Sequence, residues 1–409
     1  MKPEQFIGLD IGTSKVRCVI GTLDPNGSSA PSIVGHGEAI NQGMRRGAVV
    51  HIDDVADAIV KAVTEAERIS GMNINQATVN VNGSHVSGLN SEGVIAISAA
   101  NREITGEDRM RVEEAATIVS LPANREIVQF FAKNYSLDGQ RNIKDPVGMH
   151  GVRLEVDAHI VTGSSPNLRN LDMALDKAEI GVDHHTVSGL AAAEAVLTRQ
   201  QKEAGTALID IGAGTTNLIV FEDGEVQHIA VIPMGGQHIT NDLAIGLKTD
   251  LDVAEAVKLE HANLKSGLNK TSANIKIGTK TYEFDFEDIS MIVEARVEEL
   301  LEFVDKELAK IKRSRKLPGG IVITGGSAKI AGLDEFTREQ LQLSARIGKL
   351  HNIGGLIDTV EDQSYTTVIG LMLLDMLLLP DLPPQHSRGS AAGAKAMLGG
   401  VLSRFRTQK

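Results

Sequence analysis

Residues 7 to 21, IGLDIGTSKVRCVIG, put Val16, Cys18 and Ile20 on a period of two, with Val19 between them. That spacing predicts a strand directly after the turn of Gly12, Thr13 and Ser14, and the apolar run up to Asp10 predicts another before it. A hairpin therefore stands where a dinucleotide or Walker-type site would start a helix. The pattern recurs in residues 207 to 221, ALIDIGAGTTNLIVF: Asp210 takes the place of Asp10, small residues and hydroxyls follow, and Leu218 and Val220 alternate. Each copy runs into a third strand, SIVGHGEAI after the first and VQHIAVIPMGG after the second. A helix from Asp53 to Ser70, apolar at Val55, Ala56, Ile59, Ala62 and Val63, is predicted to cover such a sheet. Two units of this kind facing each other predict an α/β protein with a cleft between duplicated halves.

Other segments break the repeat. GIVITGGSAKIAGL, residues 320 to 333, predicts a strand through Ile321, Val322 and Ile323 that ends in a glycine turn, and a long helix is predicted from Ile289 to Leu308. The stretch from 85 to 164 lacks the hairpin pattern and reads as a small α+β insertion. Its helix opens with Thr105 and Asp108 at capping-box spacing and is expected to turn Met110, Val112, Ala115, Ala116 and Val119 inward. VIGLMLLDMLLLP, residues 368 to 380, is too short to span a bilayer and is interrupted by Asp375, which predicts a buried helix.

After Pro380 the composition of DLPPQHSRGSAAGA predicts a flexible tether reaching roughly 20 Å. In KAMLGGVLSRFRTQK, at about 100° per residue, Met397, Leu398, Val401, Leu402 and Phe405 fall on one arc of about 140°. Lys395, Arg404 and Arg406 flank that arc, a pattern suited to an anionic membrane surface. A helix docked on the protein's own body is the alternative. The tether opposes it, as do Gly399 and Gly400, each costing about 1 kcal/mol of helix propensity. Five apolar side chains at roughly 1.5–3 kcal/mol each, less ordering costs of about 1–2 kcal/mol per residue, make a marginal single anchor that arrays of copies would strengthen.

Composition narrows the class. A chain of 409 residues suggests two to three domains, and a hydrophobic fraction of 42% supports ordinary cores. A net charge of -12 and the lack of Trp argue against nucleic acid as a partner. The single cysteine, Cys18, and the absence of an apolar leader at Met1 to Phe6 lead us to expect a cytosolic protein. The basic run Lys310 to Lys316 is expected to be a solvated cap at the carbonyl end of the long helix. His184 and His185, adjacent on a strand, point to opposite faces and make a poor metal pair.

Facing hairpins have a chemical logic. Turn amides on both sides can clamp the phosphates of a nucleotide, and Asp10 and Asp210 then face each other across the anion. Two carboxylates beside a triphosphate require a divalent cation between them, and oxygen ligands with retained waters suit magnesium, held at Asp10 and Asp210 through water. Gly325 and Gly326 allow the backbone to approach a flat ligand such as adenosine. Glu255 and Lys258, three apart on one predicted helix, share a face and could reach ribose hydroxyls; a solvated ion pair is the plainer reading.

Taken in order, GLDIGTSKV, LIDIGAGTTNL and ITGGSAKIAGL resemble the phosphate-1, phosphate-2 and adenosine motifs of the actin, Hsp70 and sugar-kinase superfamily. NVNGSHVSGLNSEGVIAIS, NREITGEDRMRVEEAA, MGGQHITNDLAIGL and the tail extend the resemblance, across nearly the whole chain, to the FtsA family of actin-like bacterial cell-division proteins. The resemblance implies an actin-like fold of duplicated RNase H-like domains around a nucleotide cleft, with ATP and Mg2+ as ligands. The first phosphate motif then comprises Asp10, Gly12, Thr13, Ser14 and Lys15. The second comprises Asp210, Gly212, Ala213, Gly214, Thr215, Thr216 and Asn217, continued by Gly235 and Gly236. The adenosine side comprises Glu255 and Lys258 with Gly325, Gly326, Ser327 and Lys329.

The same resemblance implies a domain plan. Residues 1–84, 165–204 and 359–380 form domain 1A, 85–164 the inserted domain 1C, 205–239 and 301–358 domain 2A, and 240–300 domain 2B. Residues 381–393 are the linker and 394–409 an amphipathic membrane-targeting helix. Implied partners are the C-terminal peptide of the tubulin-like protein FtsZ, received near Arg296, further copies of the chain in a filament, an anionic membrane at the cytoplasmic face of the division site, and downstream divisome proteins. One departure bears on chemistry. Related ATPases carry a Glu to orient the attacking water where TVSGLAAAEAVL has Ser188, so weak or absent ATPase activity is expected. Rival readings are a sugar or acetate kinase, which needs a carboxylate base not evident here, an Hsp70-like chaperone, for which too little chain follows residue 380, and a pilus-assembly relative, which would lack the amphipathic end.

Overall fold

Both predicted hairpins form. The structure is a computed structural model that describes residues 5–23, 30–98, 100–265, 271–351 and 353–378. Gln5–Ile11 pairs antiparallel with Lys15–Thr22, and Ser32–Ile40 adds to its other side. Gln76–Val81 and then Gly181–Val187 extend the sheet in parallel beyond the first strand. The second copy repeats this plan: Thr206–Ile211, Thr216–Glu222 and Glu225–Ile232 form the antiparallel meander, and Gly320–Thr324 and Ala345–Ile347 extend it in parallel.

The helices follow from their apolar stripes. Ile52–Ser70 buries Val55, Ala58, Ile59, Ala62 and Ala66 and stops at Gly71, whose φ of 70° ends the helix in the left-handed region. It lies so close to the sheet that a Cβ on Gly37 would sit 1.9 Å from the Ala62 carbonyl oxygen. Thr366–Leu378 is apolar on nearly every side, as its sequence predicted, and is buried accordingly. Together with Ser188–Val196 it fills the space between the halves, where Leu208, Ile219 and Val322 of the second sheet join the first core. A second core gathers under Gly236–Gly246, Leu251–His261 and the long helix Phe286–Lys310, which Asp285 caps by accepting the Glu287 amide at 2.8 Å.

The inserted segment has its own core. Ser87–Ala96, Arg153–Ser164, Arg125–Leu137 and Gln140–Ile143 form its sheet, which meets the second half's sheet at the pair Ala230 and Ser87. Its helix Gly106–Thr117 has the expected capping box: the Asp108 amide donates to Thr105 Oγ1 at 3.2 Å and the Thr105 amide to Asp108 Oδ2 at 3.1 Å. The expected inner face needs correction. Val112 and Ala116 are buried as expected and Val119, just past the helix, packs partly buried on the insertion's core, but Met110 is 48% exposed and Asp108 and Glu113 are buried. The Glu113 carboxylate is tolerated because Tyr135 donates its hydroxyl to it at 2.6 Å. Among the described residues, no helix is long and apolar enough to cross a membrane. The linker and the amphipathic segment, with Lys395, Met397, Leu398, Val401, Leu402, Arg404, Phe405 and Arg406, lie outside the described residues.

Candidate nucleotide site between two hairpins

Each turn is closed by its own backbone. The Gly12 amide donates to the Lys15 carbonyl at 3.1 Å, and the Gly212 amide to the Thr215 carbonyl at 2.9 Å. Both turns are braced from outside. Asn41 gives its amide to the Ser14 carbonyl at 2.9 Å and its side chain to the Gly12 carbonyl at 2.8 Å, and the Gly47 amide donates to Thr13 Oγ1 at 3.0 Å. On the second turn, the amides of Gly236 and Gln237 donate to the carbonyls of Gly212 and Ala213 at 2.9 and 2.8 Å, while Thr216 Oγ1 donates to the Met234 carbonyl at 2.8 Å. Among the described residues, no protein acceptor takes the amides of Thr13, Ser14, Ala213 or Gly214. The turns meet at Gly214, where a Cβ would lie 2.8 Å from Thr13 Oγ1.

Asp10 and Asp210 are both buried at the strand ends that feed these turns. Burial pushes the Asp10 carboxyl up to about 7; the Arg17 guanidinium pulls it down and the charge of Asp210 pushes it further up. Burial also raises Asp210, opposed by hydrogen bonds from Asn217 Nδ2 at 3.2 Å and Thr367 Oγ1 at 3.3 Å. Two buried carboxylates within each other's field make a costly arrangement that a divalent cation would relieve, so this donor set fits magnesium.

The third turn closes the far side. Gly325, at φ 89°, lies where a Cβ would be 2.4 Å from Asp210 Oδ1, and Gly236 packs on Ser327, whose Oγ is 2.6 Å from the position of an added Cβ. Gly326 faces open space, with nothing within 4 Å of an added Cβ, which fits a flat ligand laid against the backbone. Glu255 and Lys258 do form the ion pair, at 2.6 Å, but the pair is not merely solvated: Lys258 Nζ also donates to Thr240 Oγ1 at 2.9 Å and to the Gly236 carbonyl at 3.3 Å. The site's remaining lysines are engaged elsewhere, Lys15 with Glu38 and Lys329 with Asp362.

Ser188 is buried at the start of its helix, where its hydroxyl accepts from Asn80 Nδ2 at 3.1 Å; Asn80 Oδ1 in turn accepts the Ile11 amide at 2.7 Å. Glu194 on the same helix pairs with Lys202 at 2.6 Å, directed to a lysine rather than the cleft. Arg296 lies apart, on the long helix, where its guanidinium donates to Asp242 at 3.0 Å and also pairs with Glu299. In the basic run that ends that helix, Lys310, Lys312, Arg315 and Lys316 are exposed as expected of a solvated cap, whereas Arg313 is half-buried and pairs with Glu222 at 2.6 Å. Sequence reasoning did not find Asn41, Asn80, Asn82 (whose Nδ2 donates to Thr215 Oγ1 at 3.1 Å) or Thr367. Asn80 had a local signal, a polar residue inside the apolar run ATVNV; the others had none.

Solved structures with this arrangement include the PilM-PilN type IV pilus biogenesis complex, at TM-score 0.64 and 16% identity, covering 90% of this chain and 98% of that one. MreB5 of Spiroplasma citri bound to ADP matches at TM-score 0.53 and 16% identity, covering 91% and 96%. The MamK double helical filament matches at 0.53 and 14%, covering 93% and 99%. The class is thus the actin-like α/β fold. The sequence narrows it: a family model described as Cell division protein FtsA matches residues 207–370, and one described as SHS2 domain inserted in FTSA matches residues 83–162. The chain is 33% identical to the cell division protein FtsA of Pseudomonas aeruginosa over 98% of its length and 97% of the relative's. It is 38% identical to that of Bacillus subtilis, over 90% and 83%. The chain belongs to the FtsA family of actin-like cell division proteins.

Proposed function

We propose that the cleft binds Mg-ATP and that the chain serves cell division as a nucleotide-dependent filament former linking FtsZ polymers to the cytoplasmic face of the membrane. The observation that carries this reading is the pair of braced hairpin turns with Asp10 and Asp210 buried together between them. Amides of Thr13, Ser14, Ala213 and Gly214 would hold phosphate oxygens, and the two carboxylates would hold the cation through its waters. Gly325, Gly326 and Ser327 would floor the adenosine, with Lys258 and Glu255 on its ribose side. When bound, the cation supplies charge neutralisation at the phosphates; the chain's own residues orient and enclose them. The ADP in the MreB5 structure supports a nucleotide in such a cleft.

Hydrolysis is expected to be weak. Ser188 occupies the position of a water-orienting carboxylate, and its hydroxyl is engaged by Asn80 and buried, so no strong base stands there. The nucleotide then acts chiefly as a structural ligand that sets the closure of the two halves. Membrane attachment rests on the tail from Lys395 to Arg406, FtsZ binding on the region of Arg296, and 1C-mediated contacts on the insertion; downstream divisome proteins complete the set of partners. Nothing favours the phosphotransferase alternative.

The test is co-sedimentation of the full chain with anionic phospholipid vesicles in the presence of ATP, with and without residues 394 to 409. Truncation should abolish pelleting with lipid, and equal pelleting of both forms would refute the tail assignment. In parallel, Asp210→Ala should remove Mg-supported ATP binding; undiminished binding would sink the cleft assignment.

A further inference from the structure

Asp210 and Thr324 lie in register at the ends of two neighbouring parallel strands, and the first turn of the helix Thr366–Leu378 meets both. Thr367 Oγ1 donates to Asp210 Oδ2 at 3.3 Å. Thr324 Oγ1 donates to Thr366 Oγ1 at 2.6 Å, and Thr366 donates its own hydroxyl proton to the Gln363 carbonyl at 2.8 Å. The four residues are buried, none more than 6% exposed. Gln363 continues the seam by donating to the Gly348 carbonyl at 2.9 Å. Two successive threonines of one half therefore tie two strand ends of the other across the cleft floor.

The Asp210 carboxylate receives its donors on one oxygen. Asn217 Nδ2, from the same hairpin, reaches Oδ2 at 3.2 Å, and Thr367 reaches that same atom from the other half. With one donor a carboxylate can pivot about that contact; with two, arriving from different elements, its plane is set. Oδ1 is then held against Gly325, where any side chain would collide with it. The Asn217 bond is internal to one half and survives any relative motion. The Thr367 bond lasts only while the two halves keep this separation.

We infer that Thr367 is a positioning residue for Asp210, fixing the carboxylate toward the cleft and making its orientation depend on how far the two halves are closed. The inference rests on the reading of the cleft as a Mg-ATP site and deepens it. Thr367 touches no phosphate or cation in this scheme; it acts through Asp210. Its removal should therefore affect the part of nucleotide affinity that requires the cation and spare the part that does not. A threonine that mattered only for packing would change both together, or neither.

The experiment is titration of the full chain with a fluorescent ATP analogue, once with magnesium and once with EDTA. Thr367→Val keeps shape and loses the donor. It should weaken Mg-supported binding about tenfold and change binding in EDTA less than about twofold. Thr367→Ser restores the hydroxyl and should recover Mg-supported affinity to within about threefold of the wild type. Equal losses in both conditions, no loss in either, or no rescue by serine overturns the inference. Should the valine chain not fold, Thr367→Ala against Thr367→Ser makes the same comparison. Failure of the wild type itself to bind with magnesium overturns the cleft reading and this inference together, whereas normal wild-type binding with an unaffected valine variant overturns the inference alone.

Discussion

Asp375, on the last turn of the buried helix, accepts the amide of Ile7 at 2.9 Å on Oδ2 and the Thr78 hydroxyl at 2.7 Å on Oδ1. The first bond ties the helix Thr366–Leu378 to the first strand, which carries Asp10 near its end, and the second ties it to the parallel neighbour Gln76–Val81. The helix thus touches the cleft carboxylate Asp210 through Thr367 at one end and the N-terminal strand at the other.

That carboxyl carries a pH signature. Burial, opposed by its two hydrogen bonds, raises Asp375 to about 6 from 3.8. A raised acid pKa means that the folded state keeps a proton the unfolded chain has released, so stability falls as pH climbs through the interval and stays lower above it. Between pH 5 and pH 8 the wild type should lose roughly 1 to 1.5 kcal/mol relative to Asp375→Asn, which cannot ionise. Unfolding of both chains across that range measures it, and a constant gap between them would show that Asp375 titrates normally.

The junction of the halves depends on a close helix crossing. A Cβ added to Gly370 would lie 1.7 Å from the Ala191 carbonyl oxygen, which is rigid backbone of the facing helix. Gly370→Ala must push the helices apart, and overpacking of this kind costs about 1–3 kcal/mol or more. Because the displaced helix also carries Thr367, the variant should lose Tm and nucleotide affinity together. A Tm within a degree of wild type would refute the crossing.

What the sequence disclosed and what it hid divide along chain separation. The hairpins, the third strands, the capping box at Thr105 and the buried helix around Asp375 are written in spacings of two to four residues, and each formed where its pattern lay. The bonds that assemble the site join Thr367 to Asp210, Asn82 to Thr215 and Asp375 to Ile7, residues far apart whose meeting is a property of the topology. Met110 departs from the expected face because helical period identifies a face without telling how far the neighbouring element reaches; the insertion's core takes in Val112 and Ala116 of that face and leaves Met110 48% exposed. Lys15 and Lys329 sit in nucleotide-like motifs, yet nearby carboxylates of Glu38 and Asp362 hold them, and nothing in their local spacing reveals those acids.

Where the two turns meet, shape can be tested apart from charge. An added Cβ on Gly214 would fall 2.8 Å from Thr13 Oγ1 and 3.1 Å from Arg46 Cα, so Gly214→Ala should spread the turns. Gly214 and Thr13 are buried where the turns touch, so the overpacking should cost about 1–3 kcal/mol of stability and Mg-ATP affinity should fall about tenfold. Calorimetric titration beside a melting curve separates the two effects. A variant that melts early and binds normally would contradict the arrangement.

A buried imidazole is one of the ties between the insertion and the second half, beside the pair Ser87 and Ala230 and the bond from Lys144 to the Asp223 carbonyl. His159 donates from Nδ1 to Asn90 Oδ1 at 2.8 Å, which leaves Nε2 to accept the Ile229 amide at 3.0 Å from the neighbouring sheet. Burial keeps this ring neutral, depressing it to about 3, with His228 and Lys133 adding repulsion. A histidine of depressed pKa costs stability below its unfolded value near 6.5, because the opened state takes up a proton that the closed one refuses. Acidification from pH 7 to pH 5 should therefore weaken the junction by roughly 2 kcal/mol. Hydrogen exchange at Ile229, corrected for intrinsic rates, should report it as faster opening at the lower pH. His159→Gln can still offer an oxygen to the same amide but has nothing to titrate, so its protection should be nearly independent of pH over this range. Parallel pH profiles for both chains would mean that the junction opens without exposing His159, and that the contact at Ser87 and Ala230 holds the insertion instead.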